Sequence, residues 1–145
     1  MEAEKKDIQN LIRIAADARK FAYAPYSQFA VGAALLGADA KIYTGCNIEN
    51  AAFTPGNCAE RTAIFKAVSE GCREFTAIAI VGGKLGEDAL AQAGYTAPCG
   101  VCRQVLREFV NPSTFVVILA RTIEDYKIYT LEALLPESFG PDNLK

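Results

Sequence analysis

A chain of 145 residues, 51% of them hydrophobic, carries enough apolar material for one compact domain with a real core. Its net charge of −2 leaves no basic stripe for a polyanion, which disfavours a nucleic-acid polymer as partner. No apolar run approaches the roughly 18 residues of a membrane span, and residues 1–7 are charged rather than signal-like, so a cytoplasmic protein is expected.

In chain order, residues 5–22 set Ile8, Leu11, Ile12, Ala15, Ala18 and Ala22 at helical spacing. Pro25 must end that helix, because the residue before a proline avoids helical angles. Residues 29–36 are almost wholly apolar and read as a strand buried on both faces, and a turn at 37–40 returns the chain into a second strand, 41–46, as a hairpin. A loop over 47–57 contains Pro55-Gly56, and a helix runs from Cys58 to about Glu70, closed by Gly71. Residues 76–81 form a third strand, again apolar on both faces. The stretch 82–98, with glycines at 82, 83, 86 and 94 and a proline, reads as a loop with room for a short turn of helix. A helix from Cys99 to about Phe109, strands at 114–119 and 125–130, and a short helix at 131–135 follow, before a polar tail that reads as disordered. No repeat or linker divides the chain, so residues 1–145 are expected to form one domain. Strands buried on both faces require helices on both sides of one sheet. The fold expected is therefore three-layer α/β/α with a mixed five-stranded sheet, partly parallel through its two strand–helix–strand passages.

The chemistry is concentrated in the cysteines. There are five, at 46, 58, 72, 99 and 102, and no histidine at all. An odd number argues against a disulfide scaffold and, in a reducing compartment, a CxxC pair favours metal or redox chemistry. Cys58-Ala59-Glu60 is followed, forty-one residues after Cys58, by Cys99-Gly100-Val101-Cys102. Three thiolates leave tetrahedral zinc one position for water, as in catalytic sites, and Glu60 two residues after the first thiol can move protons for that water. Both cysteine segments open helices, where free N–H groups and the helix dipole favour thiolate. Three thiolates on zinc carry a formal charge of −1, which opposes ionisation of water. Arg61 and Arg103, each close after a sulfur, are expected to offset it by hydrogen-bonding the thiolates. Plainer readings stand beside these. CxxC also suits a redox dithiol, Cys46 or Cys72 could complete a four-sulfur structural site, and Glu60 could be only a first-turn acid favoured by the dipole.

With their neighbours these segments resemble a known family. Phe29-Ala30-Val31-Gly32-Ala33-Ala34, Gly45-Cys46-Asn47-Ile48-Glu49-Asn50, Cys58-Ala59-Glu60-Arg61-Thr62-Ala63, Pro98-Cys99-Gly100-Val101-Cys102-Arg103-Gln104 and the tail from Leu134 to Pro141 are similar to the small homotetrameric, zinc-dependent cytidine deaminases, from about residue 8 to 142. The resemblance implies hydrolytic deamination of cytidine and 2′-deoxycytidine to uridine and 2′-deoxyuridine plus ammonia, in pyrimidine salvage, with one zinc per subunit on Cys58, Cys99 and Cys102. Glu60 would take a proton from the water, deliver it to N3 of the base and help the amino group leave. Asn47 and Glu49, on one face of an extended segment, would hold the ribose. Phe29 would lie against the substrate, and the backbone of Ala59, with that of Pro98, would read the pyrimidine edge. Phe139 would reach a neighbouring subunit's site. Two departures are visible: Phe53 stands where the family usually has tyrosine, and the 82–98 segment is longer than in the shortest members. Three rival readings remain at this stage. One is a related deaminase acting on another substrate (an aminonucleoside antibiotic, free cytosine or a base in RNA or DNA). The others are a zinc-stabilised structural module and a thioredoxin-like oxidoreductase using Cys99 and Cys102.

Overall fold

The computed structural model describes residues 5–88 and 94–145. Helix α1 (Lys5–Ala18) buries Ile8, Leu11, Ile12 and Ala15, the face its periodicity marks. It stops short of residue 22 and tightens into a 3-10 turn over Arg19–Phe21. Within that turn the buried Arg19 guanidinium donates to the carbonyls of Ala30 (2.8 Å) and Lys84 (3.0 Å), fastening it to the sheet.

The sheet is mixed and five-stranded, in the order β2-β1-β3-β4-β5. Strand β1 (Phe29–Gly37) pairs antiparallel with β2 (Ile42–Cys46) on one side and with β3 (Phe75–Lys84) on the other. Strand β4 (Val116–Ala120) runs parallel to β3, and β5 (Tyr126–Thr130) closes the edge antiparallel. Alternation along the strands divides the core between two faces. Leu35, Ile78, Ile80, Val117 and Leu119 pack with Ala63 and Ile64 of helix α2 (Ala59–Ser69) and Leu106 of helix α3 (Gly100–Phe109). Ala34, Ala79, Val81 and Ile118 pack instead against α1. A last helical turn, α4 (Leu131–Leu134), is capped by the Thr130 hydroxyl, which accepts from the N–H of Ala133 at 3.2 Å. The three-layer expectation is met.

Two expectations need correction. The third strand does not stop at 81. It continues through Gly82 and Gly83 to Lys84, paired with Val31, Ala30 and Phe29. Gly82 is not a turn signal but a close approach: a Cβ there would lie 2.3 Å from the Thr96 hydroxyl oxygen. Of the loop expected to follow, with its short turn of helix, residues 89–93 lie outside the described residues. Nor is the C-terminal tail free. Gln104 donates to the Phe139 carbonyl and Arg107 to the Ser138 hydroxyl, both at 2.8 Å, and a Cβ on Gly140 would lie 2.4 Å from the Arg107 guanidinium carbon.

The pairing pattern places the site. Strands β2 and β3 flank β1 and oppose it, so they point the same way, and their carboxyl ends reach one edge of the sheet. Helices α2 and α3 both begin at that edge, where open α/β sheets bind ligands. The first turn of α2 sits directly on β2, since a Cβ on Gly45 would fall 2.2 Å from the Ala59 carbonyl oxygen and 2.5 Å from the Ala63 nitrogen. Gly45→Ala should therefore push the first turn of α2 off the sheet. We expect a loss of about 1–3 kcal/mol of stability and a fall in zinc retention, read by thermal unfolding and metal analysis. Unchanged melting and zinc content would show that the contact does not position the helix.

Candidate active site

Cys58 and Cys99 are the N-cap residues of α2 and α3, both in extended conformation, with Cys102 one turn into α3. The three sulfurs lie within 4.8 Å of one another, with Cys58–Cys99 at 3.7 Å and Cys99–Cys102 at 3.4 Å. Bonds of about 2.3 Å at the tetrahedral angle put sulfur pairs about 3.8 Å apart, so this spacing fits zinc. Neither Cys46 nor Cys72 joins the group, and among the described residues no other cluster of metal-ligating side chains forms. Three donors, not four, converge.

Hydrogen bonds prepare the sulfurs. Cys99 Sγ accepts from the backbone N–H of Cys102, and Cys58 Sγ accepts from Arg61 Nη2, both at 3.4 Å. The Cys58 thiol is held down at about 5 by the hydrogen bond from the Cys102 thiol, then by Arg61 and Cys99, against the opposing effect of burial. Cys102 moves up because it is the donor in that bond and is fully buried. Both sulfurs must be deprotonated to hold a cation, so metal loading would release protons. Arg61 Nε is buried with no hydrogen-bond partner among the described residues, and the guanidinium's bond through Nη2 goes to the Cys58 sulfur. Arg103 was expected on a sulfur, and the structure corrects this. Its Nε donates to the Pro98 carbonyl at 2.8 Å and its Nη1 to the Leu134 carbonyl at 2.6 Å. Those carbonyls, just before α3 and at the end of α4, are stronger hydrogen-bond acceptors than a sulfur.

Glu60, in the first turn of α2, is only 4% exposed. Burial pushes its carboxyl up to about 7, with the neighbouring Cys58 thiolate acting in the same direction. Its own backbone N–H, the Cys102 thiol and Arg61 pull the other way.

A cleft of about 460 Å³ opens over this floor, lined by Cys58, Ala59, Glu60, Arg61 and Cys99 together with Asn47, Glu49, Phe53, Thr96 and Ala97. Segment 47–49 is held between two neighbours: Glu49 N–H donates to the Tyr23 carbonyl at 2.8 Å, and Ile48 exchanges backbone hydrogen bonds with Asn57 at 2.9 and 2.8 Å. The Asn47 amide ties the segment to β1, accepting from Val31 N–H and donating to the Phe29 carbonyl, both at 2.8 Å. The Glu49 carboxylate accepts from the N–H groups of Tyr26 (3.0 Å) and Ser27 (3.1 Å) and from the Ser27 hydroxyl. The Ser27 hydroxyl bond, then the two N–H groups, hold its carboxyl below the usual range. Tyr26 and Ser27 are not among the site residues the sequence singles out; Pro25 marks a turn there, which Gln28 closes at φ +60°. Neither Phe29, 39% exposed, nor Phe139, 58% exposed, lines the cleft of the single chain.

Residues 5–119 match the family described as cytidine and deoxycytidylate deaminase zinc-binding region. A cytidine deaminase of Sporosarcina psychrophila is 48% identical over 138 residues, covering 95% of each chain. The chain belongs to the cytidine deaminase family. The crystal structure of cytidine deaminase from Burkholderia pseudomallei is similar at 47% identity and a TM-score of 0.79, over 90% of this chain and 97% of that one. That from Mycobacterium tuberculosis is similar at 35% identity and a TM-score of 0.76, over 92% and 98%. The family's zinc-binding region therefore coincides with the three-sulfur group found here. The zinc-loaded cytidine deaminase fold should shield three of the five cysteines from a thiol reagent, leaving Cys46 and Cys72 to react. After chelation in denaturant all five should react, and five reactive thiols in the loaded native protein would contradict the assignment.

Proposed function

We propose that the chain is a zinc-dependent hydrolase that converts cytidine and 2′-deoxycytidine to uridine and 2′-deoxyuridine with release of ammonia. The observation that carries this is a carboxyl group, Glu60, buried beside three converging sulfurs at the floor of a nucleoside-sized cleft. Cys58, Cys99 and Cys102 would hold the ion. When bound, zinc supplies a Lewis acid beside which water ionises near neutral pH.

The remaining steps belong to the protein. Glu60 accepts a proton from the attacking water and delivers it to N3 of the base, so that C4 becomes the electrophile. It then carries the water's second proton to the departing amino group, which leaves as ammonia. Arg61 draws charge from the Cys58 sulfur, easing the excess negative charge that three thiolates bring. Glu49 is an ionised acceptor with lone-pair capacity left after its three bonds, and what it can take is a donor such as a ribose hydroxyl. Asn47 retains one N–H and one lone pair beyond its strand contacts and would share the sugar. The Ala59 backbone, fully buried at the cleft floor, would meet the pyrimidine edge.

The same reading takes residues 1–145 as one catalytic domain in a homotetramer, with Phe29 and Phe139 meeting substrate only once neighbouring subunits bring their rims together. Exposed aromatic surface at the cleft mouth supports this, Phe53 being 81% exposed and Tyr26 54%. No helix among the described residues is long and apolar enough to cross a membrane, and the reading places the enzyme in the cytoplasm.

In an ultraviolet absorbance assay the zinc-loaded protein should deaminate cytidine and lose activity on chelation. Glu60→Gln should cut turnover by at least about 10²–10⁴-fold while keeping zinc and fold. Undiminished activity, or a preference for a cytosine-containing oligonucleotide over cytidine, would defeat the reading. Arg61→Ala should keep its zinc yet turn over about 10- to 100-fold more slowly. If turnover holds steady in that variant, the sulfurs need no guanidinium.

A further inference from the structure

Residues 94–98 supply neither a metal ligand nor a part of the sugar arm, and they are anchored at three points. The Tyr95 hydroxyl donates to Asp125, and the Lys127 ammonium lies 4.3 Å from the centre of the Tyr95 ring. Thr96 fills the space that the missing side chain of Gly82 leaves on β3. Pro98 is fully buried, and its carbonyl takes the Arg103 Nε at 2.8 Å. Between these anchors Thr96 and Ala97 line the cleft, and Cys99 follows at once.

We propose that Tyr95 and Asp125 form a latch that fixes the Thr96–Ala97 wall of the cleft, making Tyr95 a positioning residue for substrate binding. The proposal rests on the reading that this cleft takes cytidine. Asp125 is a receptor already in place without Tyr95. Its carbonyl accepts from the N–H of Arg121 and its own N–H donates to the Thr122 hydroxyl, both at 2.9 Å, while its second carboxylate oxygen takes Arg121 Nη2 at 2.7 Å. Just before Tyr95, Gly94 holds φ +100°, a conformation only glycine adopts without strain, so a side chain at 94 would disturb the approach of Tyr95 to Asp125. Asp125 also pushes the Tyr95 hydroxyl up, which keeps it a donor across the working range of pH. With the latch closed, the wall enters the cleft at a set depth. With it open, the Gly82 contact and the Pro98 anchor are what hold Thr96 and Ala97 among the described residues. The wall is distinct from Glu60 and the sulfurs, so the latch should govern how tightly a nucleoside is held and leave the chemical step alone.

The test uses the full-length, zinc-loaded protein and the variants Tyr95→Phe, Asp125→Ala and their combination. Each is assayed for kcat and KM on cytidine, for the Kd of the product uridine by calorimetry, for zinc content and for Tm. Loss of one hydrogen bond from the wall should raise KM and the uridine Kd together by about fivefold. kcat should stay within about twofold and zinc at one per chain. Because the two residues act as one unit, the double variant should be no worse than the worse single. Tyr95→Phe keeps its ring against Lys127, so it answers the question even if Asp125→Ala fails to fold. A lowered Tm with KM and Kd unchanged would reduce the latch to a structural brace and overturn it, as would additive losses in the double variant. An active parent whose KM is unaltered by Tyr95→Phe overturns the latch alone. A parent that neither binds nor deaminates cytidine overturns the functional reading, and the latch with it.

Discussion

Everything at the cleft floor depends on two helix N-termini being brought side by side with their free N–H groups facing the same space. Sulfur donors from separate segments meet within 4.8 Å only because α2 and α3 lie on one face of the sheet and start at one edge. That arrangement follows from strand direction, since β2, β3 and β4 all run the same way and each of the two helices returns the chain to begin the next strand. Gly45 then lets the first turn of α2 rest on β2 at backbone contact, which sets the height of Cys58 and Glu60 together. The chemistry is thus tied to the sheet through backbone, not through a flexible loop.

Burial divides the labour among groups that are close in sequence. Cys102 and Glu60 are buried, Cys58 is half-buried and Cys99 is exposed. The carboxyl that must both take and give a proton is the one cut off from water, and the same burial moves it toward neutrality. A set with no histidine gathers more negative charge than a mixed nitrogen and sulfur set would. Arg61 is the local remedy, since its guanidinium reaches Cys58 from the next turn of the same helix. Glu49 shows the opposite treatment. It stays on the surface side, takes three hydrogen bonds from the 26–27 turn, and so remains charged.

What the sequence displayed well was whatever local spacing controls. Residue patterning between turn signals placed four of the strands to within two residues at each end, and the cysteine spacing picked out the metal group without a structure. What it concealed was settled by contacts between distant segments. Gly82 and Gly83 look like loop residues until Thr96 is seen pressed against β3. The tail looks disordered because the partners that fix it, Gln104 and Arg107, lie on the outer face of α3 and carry no signal in the tail itself. Arg103 follows Cys102 by one residue, closer than Arg61 follows Cys58 at three, yet the helix turns it toward the carbonyls of Pro98 and Leu134. Adjacency to a ligand in sequence fixes the direction of a side chain only when the helical phase agrees. Arg61 has that phase and Arg103 does not.

The Arg103 result changes how the cleft is held together. By taking the Pro98 carbonyl, Arg103 fastens the residue that immediately precedes a metal-ligating sulfur, and by taking Leu134 it joins that point to the stretch that leads into the tail. The tail is fastened in turn to the next outward positions of the same helix through Gln104 and Arg107. Helix α3 therefore carries a sulfur pair on its inner end and, along its flank, three side chains that hold both the entry segment and the tail. An error in the seating of α3 would shift the sulfurs, the 95–98 wall and Phe139 together. For a site that is proposed to be completed by a neighbouring chain, this coupling has a clear use: the surface offered to the neighbour and the interior offered to the substrate are positioned by one rigid element, so that assembly and chemistry share a single geometry.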